Sequence, residues 1–198
     1  MNDEIMTHPH APRLLGIGGS TRAGSLSLGV LKAALHRAED AGAQTVLADV
    51  RALALPVYDA DLPVAAYPPT LAWLLAEVRA ADAYLLCSPT YHGTVAGGVK
   101  NILDALEFLA ADAPPYFGGR VVGLMAVGGG GANVISSLTH ATRALHGLAA
   151  PTVVTATGVA VDPDTGDIRD AAVRQRLALM VGDVLDLTRR LRRVDAGT

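Results

Sequence analysis

The stretch Arg13-Leu14-Leu15-Gly16-Ile17-Gly18-Gly19-Ser20-Thr21-Arg22-Ala23-Gly24-Ser25-Leu26-Ser27 decides the fold. Its first six residues form a short apolar run ending in glycine, the pattern of a strand buried on both faces. Beyond the loop, Leu28, Leu31, Ala34, Leu35 and Ala38 recur at helical spacing, and Gly42 is a stop signal. Ser25 to Gly42 therefore reads as a helix. A buried strand feeding a helix through glycines and hydroxyls is how a parallel α/β sheet opens.

Working outward, the same alternation continues. Strands are predicted at Thr45–Val50, at Asp82–Cys87 stopping at Ser88-Pro89, at Arg120–Val127 and at Thr152–Ala156. Helices are predicted at Thr70–Ala81, Val99–Leu109, Asn133–His146 (ended by Gly147) and Ala171–Arg193. A connection bearing Pro56, Pro63, Pro68 and Pro69 joins the second strand to its helix. Residues 1–12, polar and carrying Pro9 and Pro12, read as a disordered tail, and 13–195 as one domain. Five apolar strands alternating with five helices call for a five-stranded parallel sheet with helices on both faces, a doubly wound three-layer sandwich. Ligands of such sheets bind beyond the carboxyl ends of the strands, so the loops after the first, third and fourth predicted strands should carry function.

Composition narrows the chemistry. Hydrophobic residues are 51%, enough for a sizeable core. A net charge of −3 and 4% aromatics argue against nucleic acid or an anionic membrane as the main partner. The single Cys87 excludes an intrachain disulfide framework and a cysteine-based metal cage. The histidines do not supply a metal site either: His8 and His10 lie in the tail, His36 stands alone, and His140 and His146 are six apart, off one helical face. The start lacks the regions of a signal peptide, and no apolar run reaches the roughly 18 residues of a membrane span. The expectation is a soluble, cytoplasmic enzyme or carrier.

The first loop suits a terminal phosphate monoester. Glycines let backbone N–H groups turn inward, the helix start offers unpaired donors and a positive dipole end, and Ser20, Thr21, Ser25 and Ser27 add hydroxyls beside the Arg22 fork. The plainer alternative is a serine-capped helix. A Walker loop needs Gly-Lys-Ser/Thr, and no lysine precedes Lys32. A dinucleotide fingerprint is approached by Gly16-x-Gly18 with Asp49, but its third glycine falls on Thr21; it stays the runner-up. In the loop after the third strand, Ser88-Pro89-Thr90-Tyr91-His92-Gly93, Pro89 ends the strand, glycines permit close approach of a flat ligand, and Tyr91 offers an aromatic face.

Gly-Gly-Ser-Thr-Arg (18–22) with Ser25 and Ser27, then Ser-Pro-Thr-Tyr-His-Gly (88–93) with Lys-Asn-Ile-Leu-Asp (100–104), resembles the NAD(P)H-dependent FMN reductase family. The likeness extends to the glycine run Gly128–Gly131 and the turn from Asp162 to Gly166. It implies a flavodoxin-like fold, a homodimer or homotetramer, and FMN near a subunit interface. It assigns the FMN phosphate to Ser20, Arg22, Ser25 and Ser27, although an asparagine is common in the family where this chain has Ser27. It assigns the isoalloxazine and ribityl parts to Pro89, Thr90, Tyr91, His92 and Gly93, and the ring's far edge to Gly128, Gly129 and Gly130.

The resemblance implies hydride passing from NADPH or NADH to flavin N5, so no protein nucleophile, catalytic side chain or metal is required. The acceptor is free flavin, which would feed a flavin-dependent monooxygenase, or a quinone, azo dye or metal oxyanion. A flavodoxin-type electron carrier is the alternative from another class. Cys87 reads as a small core residue, His92 as a loop-shaping or ring-bonding group, and His140 and His146 as surface positions on a helix. Lys100, Asp104 and the cluster Arg189, Arg190, Arg192 and Arg193 read as solvated, the arginines complementing a helix C-terminus.

Overall fold

A computed structural model describes residues 11–162 and 165–195. In chain order the elements are β1 (Arg13–Gly18), α1 (Leu26–Asp40), β2 (Gln44–Asp49), α2 (Val50–Leu53), α3 (Pro69–Ala80), β3 (Ala83–Tyr91), β4 (Thr94–Val95), α4 (Gly97–Ala105), β5 (Val121–Val127), α5 (Gly131–Ala144), β6 (Leu148–Ala156) and α6 (Ala171–Asp195). Five strands pair in parallel in the order β2-β1-β3-β5-β6, and β4 pairs antiparallel with the end of β3. Counting the parallel strands alone, this is the 2-1-3-4-5 order of flavodoxin-like sheets, not the six-strand dinucleotide-binding order. The chain reverses its direction of travel between β1 and β3, so a crevice opens there.

Side-chain alternation along the strands separates two apolar layers. Leu14, Leu85, Cys87 and Met125 face α1 and α6; Leu15, Ile17, Tyr84, Leu86 and Leu124 face α3, α4 and α5. Tyr84 brings its hydroxyl into the second layer at no loss, because it donates to Val78 O at 2.8 Å and accepts from Arg120 at 3.0 Å.

Several boundaries differ from the sequence reading, each for a local reason. Pro12, placed in the tail, is buried and its carbonyl accepts from Gln44 N at 2.9 Å; residues 1–10 lie outside the described residues. β3 does not stop at Ser88-Pro89: it runs on to Tyr91, with Pro89 opposite Val127 of β5. Its pairing with β1 ends at Gly18↔Cys87, so at Ser88 and Pro89 the strand is paired with β5 on one side only, where a missing N–H costs least. His92 (φ 50) and Gly93 (φ 79) then form a two-residue turn with both central residues left-handed, and the chain returns as β4. The short helix α2 arises because Asp49 caps it, its carboxylate accepting from Arg51 N at 3.1 Å. α5 ends at Ala144, so His146 (φ 58) sits in the following turn and not on the helix.

The proline-bearing connection is tied down. Asn101 of α4 accepts from Tyr58 N at 2.7 Å and donates to Pro56 O at 2.8 Å, while Tyr58 and Tyr67 both pack edge-on to Phe108. The tightest backbone approach in the sheet is at Gly18, where a Cβ would lie 2.2 Å from Cys87 O. Gly18→Ala is accordingly expected to cost at least about 2 kcal/mol, a fall of at least roughly 4 °C in Tm for a chain of this size, measured by thermal unfolding without added ligand.

Candidate functional site

The loop after β1 is built around hydroxyls whose lone pairs are already in use. Ser25 caps α1 and its Oγ accepts from Leu28 N at 3.3 Å, while lying 3.1 Å from Ser27 Oγ. Ser20 Oγ accepts from Arg22 N at 3.3 Å. A hydroxyl that accepts from the backbone keeps its own proton to donate. Ser20 and Ser27 are buried while Arg22 is exposed, so short donors lie at the base and a mobile positive charge at the rim. The first N–H groups of α1 have no partner within the helix and add their partial positive charge. Asp49, the acid of the partial dinucleotide fingerprint, is committed to capping α2, and that reading loses its ribose ligand.

The second loop is the β3–β4 hairpin. Ser88, fully buried, holds its base: the Oγ donates to Pro89 O at 2.8 Å and accepts from Ala96 N at 3.0 Å. Thr94 Oγ1 meets Ser137 Oγ of α5 at 3.2 Å and pins the returning strand. The third loop follows β5. Gly128, at φ 121, gives its N–H to Ala156 O at 2.8 Å and lies so near Thr90 that a Cβ would be 3.3 Å from that residue's own Cβ.

These loops enclose a cavity of about 160 Å³ at the carboxyl ends of β1, β3 and β5. Ser20, Arg22, Ser25 and Ser27 line one side of it, and Pro89, Thr90, Tyr91 and Gly128 the other. Five residues named in the sequence analysis are not among its walls: Thr21 is exposed on the first loop, His92 and Gly93 form the exposed hairpin tip, and Gly129 and Gly130 are exposed beyond Gly128. Sequence reasoning missed Gly24, Leu26, Val127 and Gly158, which also line the cavity. Gly24 and Leu26 lie inside the quoted loop and were legible; Gly158 follows β6, a strand end without a motif. Thr90 Oγ1 is shielded from solvent and has no hydrogen-bond partner among the described residues. An unsatisfied buried hydroxyl calls for a ligand or a water.

Wider clefts lie on the helical flanks, about 490 Å³ between α1 and α6 and about 610 Å³ between α4 and α5. Neither reaches the strand ends where loops converge. Lys100 pairs with Asp104 at 2.5 Å on the exposed side of α4. The arginine cluster is not merely solvated: Arg189 donates to Ala41 O at 3.1 Å and Arg192 lies 3.5 Å from Asp82, so both secure the far end of α6. Among the described residues, no group of three His, Cys, Asp or Glu is placed to hold a metal ion, and no helix is long and apolar enough to cross a membrane.

Cys87 is fully buried, and burial pushes its thiol far above the ordinary range. The folded protein therefore keeps the proton that the unfolded chain releases, and this group makes stability fall as pH rises past about 8.5. At pH 8 a disulfide reagent should leave the folded protein unlabelled and take up one equivalent after denaturation; rapid labelling of the native protein would show the strand open.

A model of the family described as NADPH-dependent FMN reductase matches residues 12–162. An NAD(P)H-dependent FMN reductase of Pseudomonas aeruginosa is 27% identical over 199 residues, covering 97% of this chain and 100% of that protein. A probable NADPH:quinone oxidoreductase of Oryza sativa subsp. japonica is 37% identical over 102 residues, which take in 51% of this chain and only 50% of the rice protein. Among solved structures, RosB with bound 8-demethyl-8-formylriboflavin-5'-phosphate superposes with a TM-score of 0.73 at 20% identity, covering 92% of this chain and 81% of that one. At that identity the superposition bears on the fold alone.

Proposed function

The chain belongs to the NADPH-dependent FMN reductase family, and from this premise we propose that its strand-end cavity holds FMN for an NAD(P)H-dependent reduction of a small acceptor. The observation that carries the reading is the convergence of three serine hydroxyls, two of them sharing one hydrogen bond, a helix start and Arg22 in one cavity with the orphaned Thr90 Oγ1. The donor set has no acceptor bias and fits a phosphate dianion. The half-open cavity of about 160 Å³ is smaller than the roughly 300 Å³ at which ligand pockets usually begin, and its donors match the phosphate end. The flat remainder is left for the open shelf of Tyr91, His92 and Gly93 on one side and Gly128, Gly129 and Gly130 on the other.

FMN, when bound, supplies the chemistry of taking a hydride from NADPH or NADH and passing reducing equivalents onward. The chain's own work is binding and placement. Ser20 and one of the linked pair Ser25 and Ser27 donate, Arg22 neutralises charge at the rim, and Thr90 Oγ1 offers its unused hydrogen bond. Tyr91, 42% exposed, leaves the shelf accessible to a second molecule, as a reaction that needs donor and acceptor in turn requires. A quinone is the acceptor class favoured by the named relative; free flavin destined for a monooxygenase fits the same open shelf. Residues 13–195 act as one domain in this proposal, since a single sheet carries both apolar layers. A homodimer or homotetramer is part of it, on family resemblance, and a cytoplasmic location is part of it, on the sequence reading.

Two experiments bear on this. Purified protein should show yellow flavin absorbance, or take up added FMN, and the absorbance should bleach on anaerobic addition of NADPH or NADH. A colourless protein that neither binds FMN nor consumes nicotinamide in its presence would end the proposal. Arg22→Gln should raise the Kd for FMN by about 10- to 100-fold, the loss of one hydrogen bond to a charged group, without lowering Tm, because the side chain is exposed.

A further inference from the structure

Residues 20–24 form the part of the first loop with the least support: Thr21, Arg22, Ala23 and Gly24 are all exposed. Among the described residues, one hydrogen bond ties this segment to another part of the chain, from Arg51 Nη1 of α2 to Thr21 O at 2.7 Å. The carbonyl of Thr21 belongs to the same planar peptide as the N–H of Arg22, and the two point in opposite directions. Drawing the carbonyl toward α2 therefore turns the N–H inward, where it meets Ser20 Oγ at 3.3 Å. That contact occupies a lone pair of Ser20 and frees its proton for the cavity.

Arg51 is itself held. Its backbone N–H is given to Asp49, and Asp49 stands in register with Gly18 across the β1–β2 pair. The same Asp49 oxygen lies 3.0 Å from the point a Cβ on Gly19 would occupy. A rigid path thus runs from β2 through the cap of α2 to the far side of the loop.

We infer that Arg51 is a positioning residue for the phosphate loop: it fixes the Thr21–Arg22 peptide from outside and so sets the donor direction of Ser20. The inference rests on the reading of the first loop as the FMN phosphate site, and it predicts an effect confined to ligands that carry the phosphate.

The test compares FMN with riboflavin, which lacks the phosphate, by quenching of flavin fluorescence in wild-type, Arg51→Gln, Arg51→Lys and Arg22→Gln proteins, alongside Tm without ligand. Arg51→Gln should raise the Kd for FMN by about 5- to 20-fold, leave that for riboflavin within about twofold, and leave Tm unchanged; Arg51→Lys should recover part of the loss. An unchanged FMN affinity, or equal weakening of both flavins, overturns the inference. If Arg22→Gln weakens FMN selectively and Arg51→Gln does not, the brace alone fails. If neither alters the FMN-to-riboflavin ratio, the phosphate reading of the loop fails with it.

Discussion

Where β1 passes β3, the backbone of Gly18 comes so close to Cys87 that a methyl group would sit 2.2 Å from the Cys87 carbonyl oxygen. The next residue then gives its N–H to that same oxygen, from Gly19 at 3.3 Å. This approach is what joins two loops 70 residues apart into one site. β1 ends there and its loop folds over, leaving β3 paired with β5 alone at Ser88 and Pro89 before β4 takes up its last two residues. Freed on one side, β3 can carry a proline and extend into the hairpin that forms the opposite wall. The cavity is the space between a strand that stops and a neighbour that continues.

The second constraint is polarity. A serine-rich loop can bind a cation through its oxygens or an anion through its protons, and residue types alone do not distinguish the two. Here Ser20 and Ser25 each accept a backbone N–H, which leaves the hydroxyl protons as the groups on offer. With a helix start behind them and Arg22 at the rim, every contribution in the loop has the sign that favours an anion. Asp49, the acid beside Gly19, accepts the backbone N–H of Arg51 at the start of α2 and does not line the cavity.

Much of this was legible in the sequence because it rests on short-range signals. The apolar run at Arg13–Gly18, the cap at Ser25 and the helical spacing from Leu28 to Ala38 are local, and they reappear with boundaries shifted by a residue or two. What sequence reading missed depends on pairing partners distant in the chain. Pro89 looks like a terminator until β1 is seen to have stopped beside it. His92-Gly93 looks like loop until both residues prove left-handed between two paired strands. Gly158 carries no motif and reaches the cavity only because β6 lies beside β5. Arg51 carries no signal in the sequence for the same reason: α2 exists through its Asp49 cap, and the carbonyl it holds lies 30 residues away.

The small size of the enclosed space is itself informative about how such a site divides its work. In the proposed site, donors and positive charge gather where the FMN phosphate would lie, and the exposed hairpin and glycine loop leave the other end open. Binding energy realised at a remote group holds a ligand in place without covering the atoms that must meet a second reactant. A deep pocket around the ring would raise affinity but exclude the acceptor. On the proposed reading, affinity resides at the phosphate end and access at the ring end, and acceptor selection would fall to the exposed side chains of the shelf, Tyr91 and His92 first among them.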